Sequence, residues 1–185
     1  MLDWLFGDKY FNNAVQVVLA HEGGLTDNPN DPGGITDYGV SLRFLRAAGI
    51  DGNMNRSDHI GPEDIKSLTP KKASNIYYKY FWLPNRFEYI KSMVLSTSML
   101  DMAVLLGGQQ ACMLMQQALN KTLKESIKVD GILGFDSLSK IQKANCYQLN
   151  DKFKTECREH FYDLVKKNDK LQVFLTGWLN RINSL

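Results

Sequence analysis

Residues 9–40 read KYFNNAVQVVLAHEGGLTDNPNDPGGITDYGV, and this stretch decides the fold. From Lys9 to Glu22 the apolar residues Phe11, Ala14, Val15, Val18 and Leu19 recur three and four apart. That spacing predicts a helix with one apolar face. Gly23-Gly24 supplies the stop expected after the last periodic residue. The run Asp27-Asn28-Pro29-Asn30-Asp31-Pro32-Gly33-Gly34 is then so dense in turn formers that no helix can cross it. Ile35-Thr36-Asp37-Tyr38-Gly39-Val40 has the character of an extended segment, and a small hairpin is expected there.

Outward from this stretch the chain is helical. Residues 41–49 return to helix and stop at Gly49. A polar loop covers 50–61, and Gly61-Pro62-Glu63-Asp64 opens a short helix with proline in its first turn. Thr69-Pro70 starts another, with Thr as cap, running through Ile76-Tyr77-Tyr78 to about Phe81 and ending near Pro84. Helices follow over 91–106 and 108–119, split by Gly107-Gly108. A turn over 129–134 precedes helices over 136–145, 148–168 and 170–182. The fold class is mainly α with one small β-hairpin after the first helix. The organisation expected is a catalytic lobe over 1–95 and a helical lobe over 96–185, packed as one globular unit.

The chain has 185 residues, 44% of them hydrophobic and 11% aromatic, enough to bury a real core. A net charge of +2 lacks the dense basic stripe of a nucleic-acid binder, so no nucleic-acid partner is expected. Residues 1–100 hold 10 Lys and Arg against 11 Asp and Glu, and residues 101–185 hold 12 against 9, too even a division to assign a partner. Cys112, Cys146 and Cys157 stand far apart and in no metal spacing, so they read as free thiols buried in a core. The opening MLDWLFGDKY has neither the basic nor the apolar region of a secretory signal, and no apolar run approaches the roughly 18 residues of a membrane span. The expectation is a protein made in the cytoplasm, without membrane insertion.

Glu22 draws attention first. It stands at the end of a helix, where the macrodipole is negative, and beside an apolar face. Both influences favour the protonated carboxyl that a glycosidase general acid must present. The two glycines after it carry no side chain to obstruct a polymer. Asp31, nine residues on, sits in a rigid Pro/Gly loop that would keep its carboxylate hydrated and ionised. One carboxyl to protonate a leaving oxygen and another to support a water or a developing cation is the arrangement of glycoside hydrolysis. Thr36 could hold that water through its hydroxyl. Asp27 and Asp37 lie close enough to serve in place of Asp31. Taken singly, a helix-end Glu is usually solvated and an Asp in such a loop is usually a turn residue.

The whole string changes the odds. Glu22-Gly23-Gly24 followed by Asp31-Pro32-Gly33-Gly34-Ile35-Thr36-Asp37-Tyr38-Gly39 resembles glycoside hydrolase family 108, bacterial and phage N-acetylmuramidases of the lysozyme superfamily. Its hallmark is EGG, a spacer, then DxGGxTxxG, and every fixed position is met here. Tyr77-Tyr78-Lys79-Tyr80-Phe81-Trp82 matches the aromatic helix end that follows in the family. Val129-Asp130-Gly131-Ile132-Leu133-Gly134 resembles the DGxxG turn of its peptidoglycan-binding-like region, and Gly177-Trp178-Leu179-Asn180-Arg181 its closing helix. The resemblance spans nearly the whole chain and implies a lysozyme-like α+β fold. It implies Glu22 as general acid, Asp31 as second carboxylate and Thr36 as a water-positioning partner. It further suggests Tyr38, Tyr78 and Trp82 as rings against sugar, although core packing explains such aromatics as well. One departure is Leu25, where many members carry an aromatic residue.

The activity expected from these readings is a lysozyme that hydrolyses the β-1,4 bond between N-acetylmuramic acid and N-acetylglucosamine in peptidoglycan strands, with no metal or cofactor. A lytic transglycosylase on the same bond and a non-catalytic wall-binding module are the alternatives. Release through a holin and delivery as an effector with a cognate immunity protein are equally consistent with the sequence. The acidic run at 27–31 is no calcium loop, because Pro29 and Pro32 replace a ligand and the invariant glycine. Asn120-Lys121-Thr122 is a glycosylation sequon without a secretory context. His21 reads as structural, and His59 and His160 have no metal-ligand partners at useful spacing.

Overall fold

A computed structural model of the chain describes residues 7–27, 34–124 and 126–185. Helix α1 (Lys9–His21) begins at Asp8, whose carboxylate accepts from the backbone N–H groups of Tyr10 and Phe11. Those donors have no partner inside the helix, and a cap of this kind is worth about 1 kcal/mol. The other oxygen of Asp8 accepts from the Trp82 indole N–H at 3.2 Å, so one carboxylate starts α1 and ties it to a distant aromatic. Phe11, Ala14, Val15 and Val18 form the buried face, as their spacing predicts.

The hairpin is minimal. β1 (Thr36–Asp37) pairs antiparallel with β2 (Val40–Ser41), Thr36 opposite Ser41 and Asp37 opposite Val40. Its two loop residues, Tyr38 and Gly39, have φ of 47° and 71°. Left-handed backbone at both positions makes a type I′ turn, whose twist matches the strands it joins. Thr26 and Thr36 exchange backbone hydrogen bonds of 2.8 and 2.9 Å, which closes the base of the segment that carries Asp31.

Helix α2 (Leu42–Ala48) follows directly, capped by the Ser41 hydroxyl and stopped by Gly49. After α3 (Pro62–Lys66), α4 (Pro70–Tyr77) runs into a π-helical turn over Tyr78–Trp82. The sequence predicts plain helix here. The wider turn re-aims the aromatic run, so that Tyr77 and Phe81 pack together and Phe81 meets Phe44, while Trp82 meets Phe11 and Phe87.

Helix α5 (Met93–Leu106) is buried on every side from Leu95 to Ala103, which places it at the centre. It packs on α1, on α6 (Gly108–Leu123) and on α8 (Cys146–Lys167). α7 (Phe135–Lys143) and α9 (Gln172–Asn183) complete the helical half, with α9 lying along α8. A single cluster of buried side chains runs from Phe11 to Ile182. The expected boundary at residues 95 and 96 therefore falls in the first turn of the central helix, whose side chains serve the core on both sides. The mainly α architecture with one small hairpin after the first helix is as expected. No helix among the described residues is long and apolar enough to cross a membrane.

Two local features refine the sequence reading. Cys112 and Cys157 are buried, and burial pushes the Cys112 thiol up to about 12. Cys146, expected to be buried as well, is half-buried at the first position of α8. The DGxxG turn is held by Gln116 of α6, itself 1% exposed. Its amide nitrogen donates to Asp130 Oδ1, the Ile132 carbonyl and Ser137 Oγ, and its oxygen accepts from the N–H groups of Asp130 and Gly131.

Candidate active site

Glu22 is the first residue beyond α1. Its N–H still donates to the Val18 carbonyl at 2.9 Å, but its backbone has turned extended. The side chain lies over the hairpin tip. A Cβ placed on Gly39 would come within 2.6 Å of Glu22 Cγ and Cδ and 2.5 Å of Tyr77 Oη. Glycine is thus required at 39 twice over, for its φ of 71° and for the seat it gives the carboxyl. The final glycine of the DxGGxTxxG string has its physical reason here.

Tyr77, at the end of α4, braces the same spot. Its hydroxyl donates to the Tyr38 carbonyl at 2.6 Å, holding a non-glycine residue in left-handed backbone. Burial, with the Glu22 carboxyl nearby, holds the Tyr77 hydroxyl well above the usual phenol range, so it remains a donor.

Arg181 of α9 also reaches the carboxyl, its Nη2 2.7 Å from Glu22 Oε1. The same guanidinium grips Asp101 of α5, Nε to Oδ2 at 2.8 Å and Nη2 to Oδ1 at 3.0 Å. Asp101 has no exposed surface. It also meets His21 Nδ1 at 2.8 Å, and His21 Nε2 is 3.0 Å from Ser184 Oγ. Burial works against the Arg181 charge, but the bonds to Asp101, joined by Glu22, outweigh it and hold its pKa above the ordinary value. Glu22 and Arg181 keep 17% and 14% of their side-chain surface exposed, so the pair is reachable from solvent.

The other sequence candidates divide. Asp31 lies outside the described residues. Thr36 is at the hairpin base, where its hydroxyl donates to the Gly34 carbonyl at 3.1 Å and retains lone pairs for a second partner. Asp37 is 8% exposed and accepts from the Tyr38 N–H; burial raises its pKa against that bond. Asp27 is exposed and adds to Glu63 in the field felt by Lys66. Tyr38 is part of the tip that seats Glu22. Tyr78 instead packs edge-on against Phe11 and lies in the field of Asp8 and Glu88. Trp82 has no exposed surface, so it belongs to the core rather than to a sugar-stacking surface. Its ring is already enclosed by Phe11 and Phe87, with its N–H held by Asp8.

Sequence reasoning assigned no role to Tyr77, Asp101 or Arg181. One signal was readable: Asp101 is the single charge in a mostly apolar helix, and such a carboxylate must find a partner. Which cation answers it, 80 residues away in sequence, is settled by packing alone.

Residues beside Glu22 line two grooves, although Glu22 itself lines neither. One, of about 390 Å³, is lined by Gly39, Ser41, Arg43, Phe44, Tyr77 and Phe81, among others. The second, of about 420 Å³, is lined by His21, Leu105, Gly177, Trp178, Asn180 and Arg181. The residues that touch Glu22 are thus shared between them. A Cβ on Gly23 or Gly24 would meet nothing within 4 Å, so the approach past Glu22 is open. A larger groove, about 590 Å³, lies away from Glu22 between Tyr89 and Phe135.

Comparison with known proteins gives two family matches. Residues 15–107 match the family described as Glycosyl hydrolase 108, and residues 110–183 match one described as Predicted Peptidoglycan domain. Among solved structures, one titled "Structure of Brucella abortus SagA" superposes with a TM-score of 0.74 over 94% of this chain and 90% of that one, at 24% identity. The fold is therefore shared. No curated protein matches the chain.

Proposed function

Because the chain belongs to the glycosyl hydrolase 108 family and is a glycoside hydrolase directed at peptidoglycan, we propose that it is an N-acetylmuramidase with Glu22 as general acid. The bond cleaved is the β-1,4 linkage between N-acetylmuramic acid and N-acetylglucosamine. The observation that carries this reading is the seat of Glu22: a partly exposed carboxyl packed on a side-chain-free glycine and held by Arg181, next to residues that line two grooves.

Glu22 gives its proton to the glycosidic oxygen as the bond to the anomeric carbon breaks. Asp31 is the second carboxylate, stabilising the oxocarbenium-like transition state and activating water, with Thr36 orienting that water. The water adds its oxygen to the anomeric carbon and releases a proton to the carboxylate. Tyr38 borders the subsite next to the broken bond. Residues 1–95 carry the acid, and 96–185 form the lobe against which the strand lies. The wall lies beyond the membrane, so the enzyme reaches it by release through a holin or by delivery into a rival cell, the second route requiring a cognate immunity protein.

Product analysis tests the reaction. Purified protein is incubated with sacculi, the fragments are reduced with borohydride, and mass spectrometry identifies the new ends. Reduced muramic acid is expected, and Glu22→Gln should produce none. Anhydromuramic ends would make the enzyme a transglycosylase, and no product from folded wild-type protein would make it a binding module.

A further inference from the structure

We infer that Arg181 is a positioning residue for Glu22, and that Asp101 balances its charge so that Glu22 is held by a neutral pair rather than by a bare cation. The inference rests on the reading of Glu22 as general acid.

Glu22 lies 2.7 Å from the Arg181 guanidinium, which on its own would be an uncompensated cation beside the acid. The arrangement makes chemical sense only through the third member. Asp101 binds Arg181 through two near-parallel hydrogen bonds, the geometry in which a guanidinium and a carboxylate pair most strongly. Asp101 is fully buried, so its charge cannot be left to water. The Arg181–Asp101 pair is neutral as a unit, and Glu22 faces a dipole rather than a bare cation. Nη2 is the shared donor, reaching Asp101 Oδ1 and Glu22 Oε1 together. With Oε1 engaged, the transferable proton is carried by Oε2. The guanidinium therefore fixes both the rotamer of the acid and the oxygen that delivers the proton.

The other titratable groups around Glu22 do not replace this balance. Tyr77 of α4 stays a neutral donor to Tyr38, and His21 of α1 is turned toward Asp101 and Ser184. Asp37, in the hairpin, points to its own Tyr38 N–H. Arg181 belongs to the region that matches a predicted peptidoglycan domain, and Glu22 to the glycosyl hydrolase region. The C-terminal helix is then part of the catalytic apparatus and not solely a wall-binding appendage.

The test measures kcat, KM and the pH profile of kcat/KM on soluble glycan strands, for folded full-length variants checked by thermal unfolding. Arg181→Lys keeps the charge and loses the fork. It should lower kcat about tenfold or more, with KM little changed and the alkaline limb of the profile in place. Arg181→Met leaves Asp101 with His21 alone and removes the cation beside Glu22, and should move that limb to higher pH. Asp101→Asn leaves the whole Arg181 charge to Glu22 and should move it to lower pH. The double variant Asp101→Asn/Arg181→Met should return the limb toward its wild-type position while kcat stays low. A purely structural role would lower stability without opposite pH shifts. The inference is overturned if the folded variants share the wild-type limb, or if Arg181→Lys keeps wild-type kcat. Should Arg181→Met fail to fold, Asp101→Asn and Arg181→Lys decide by the same criteria. Activity retained in Glu22→Gln would instead remove the acid assignment itself, so the two failures are distinct.

Discussion

Two polar clusters tie distant parts of this chain together, and they are built on opposite plans. At the DGxxG turn a neutral amide, Gln116, meets five groups and leaves none of its own capacity unused. At the hairpin a charged trio, Glu22–Arg181–Asp101, is saturated only on its inner side: Asp101 is fully enclosed, while Glu22 and Arg181 retain exposed surface. A buried neutral amide with every donor and acceptor engaged is what fixing a loop requires, even where one partner is the partly exposed carboxylate of Asp130, because every buried polar group is then satisfied. An open, charged cluster is costly for that purpose and is suited to acting on something outside. The difference is one of burial and charge and is visible without reference to any motif.

Substitutions can break or sharpen that contrast. The largest effect expected is on activity. Glu22→Gln should reduce turnover by about a thousandfold or more, the scale of a lost general acid. Its unfolding free energy should change by less than about 1 kcal/mol, since an amide oxygen can still accept from Arg181. Gln116→Ala should do the reverse. It strands the buried Gly131 N–H and its neighbours and should cost about 3 kcal/mol of stability, read by chemical denaturation. Turnover measured well below the transition should stay within about twofold of wild type, because the acid remains oriented. Turnover falling as far as stability would dissolve the distinction between the clusters.

Gly39→Ala probes the boundary between the two kinds of effect. Forcing alanine into a φ of 71° costs about 1–2 kcal/mol, which is a stability term. The new methyl would also overlap Glu22 and Tyr77 Oη, displacing the acid by the order of an ångström. A shift of that size should lower kcat about a hundredfold. Kinetics and denaturation on one variant separate the two contributions, and an unchanged kcat would show that Gly39 is needed for the turn alone.

The contrast also explains what could be read from the sequence. α1, the hairpin and most helix limits follow from periodicity and from caps such as Asp8, Ser41 and Thr69, which act within a few residues. The π-helical turn over Tyr78–Trp82 does not, because it is the packing of Phe11, Phe44 and Phe87 that selects which aromatic faces inward. Trp82, which the sequence left open between sugar contact and core, is for that reason a core ring. Within the site, Glu22 was legible because its glycine neighbours are contiguous with it. Arg181 and Tyr77 were not, since their role depends on which helix ends converge on Gly39. A charge 159 residues from its partner leaves no local pattern.

The smallest effect expected is the most discriminating. Tyr77→Phe removes one hydroxyl and almost no volume, so core packing with Phe81 is retained. What is lost is the 2.6 Å bond to the Tyr38 carbonyl, worth about 1 kcal/mol. That bond restrains a non-glycine residue in left-handed backbone, directly before the glycine that seats the acid. Loosening the tip would let the Glu22 carboxyl leave its seat. Turnover should fall by several-fold to about tenfold, with the pH profile unmoved, since no charge has been added or removed. A stability loss with kcat intact would mean that the hairpin tip and the acid are independent. A kcat loss with stability nearly intact would mean that Tyr77 serves the site more than the core, and would set it beside Arg181 as the second brace on Glu22.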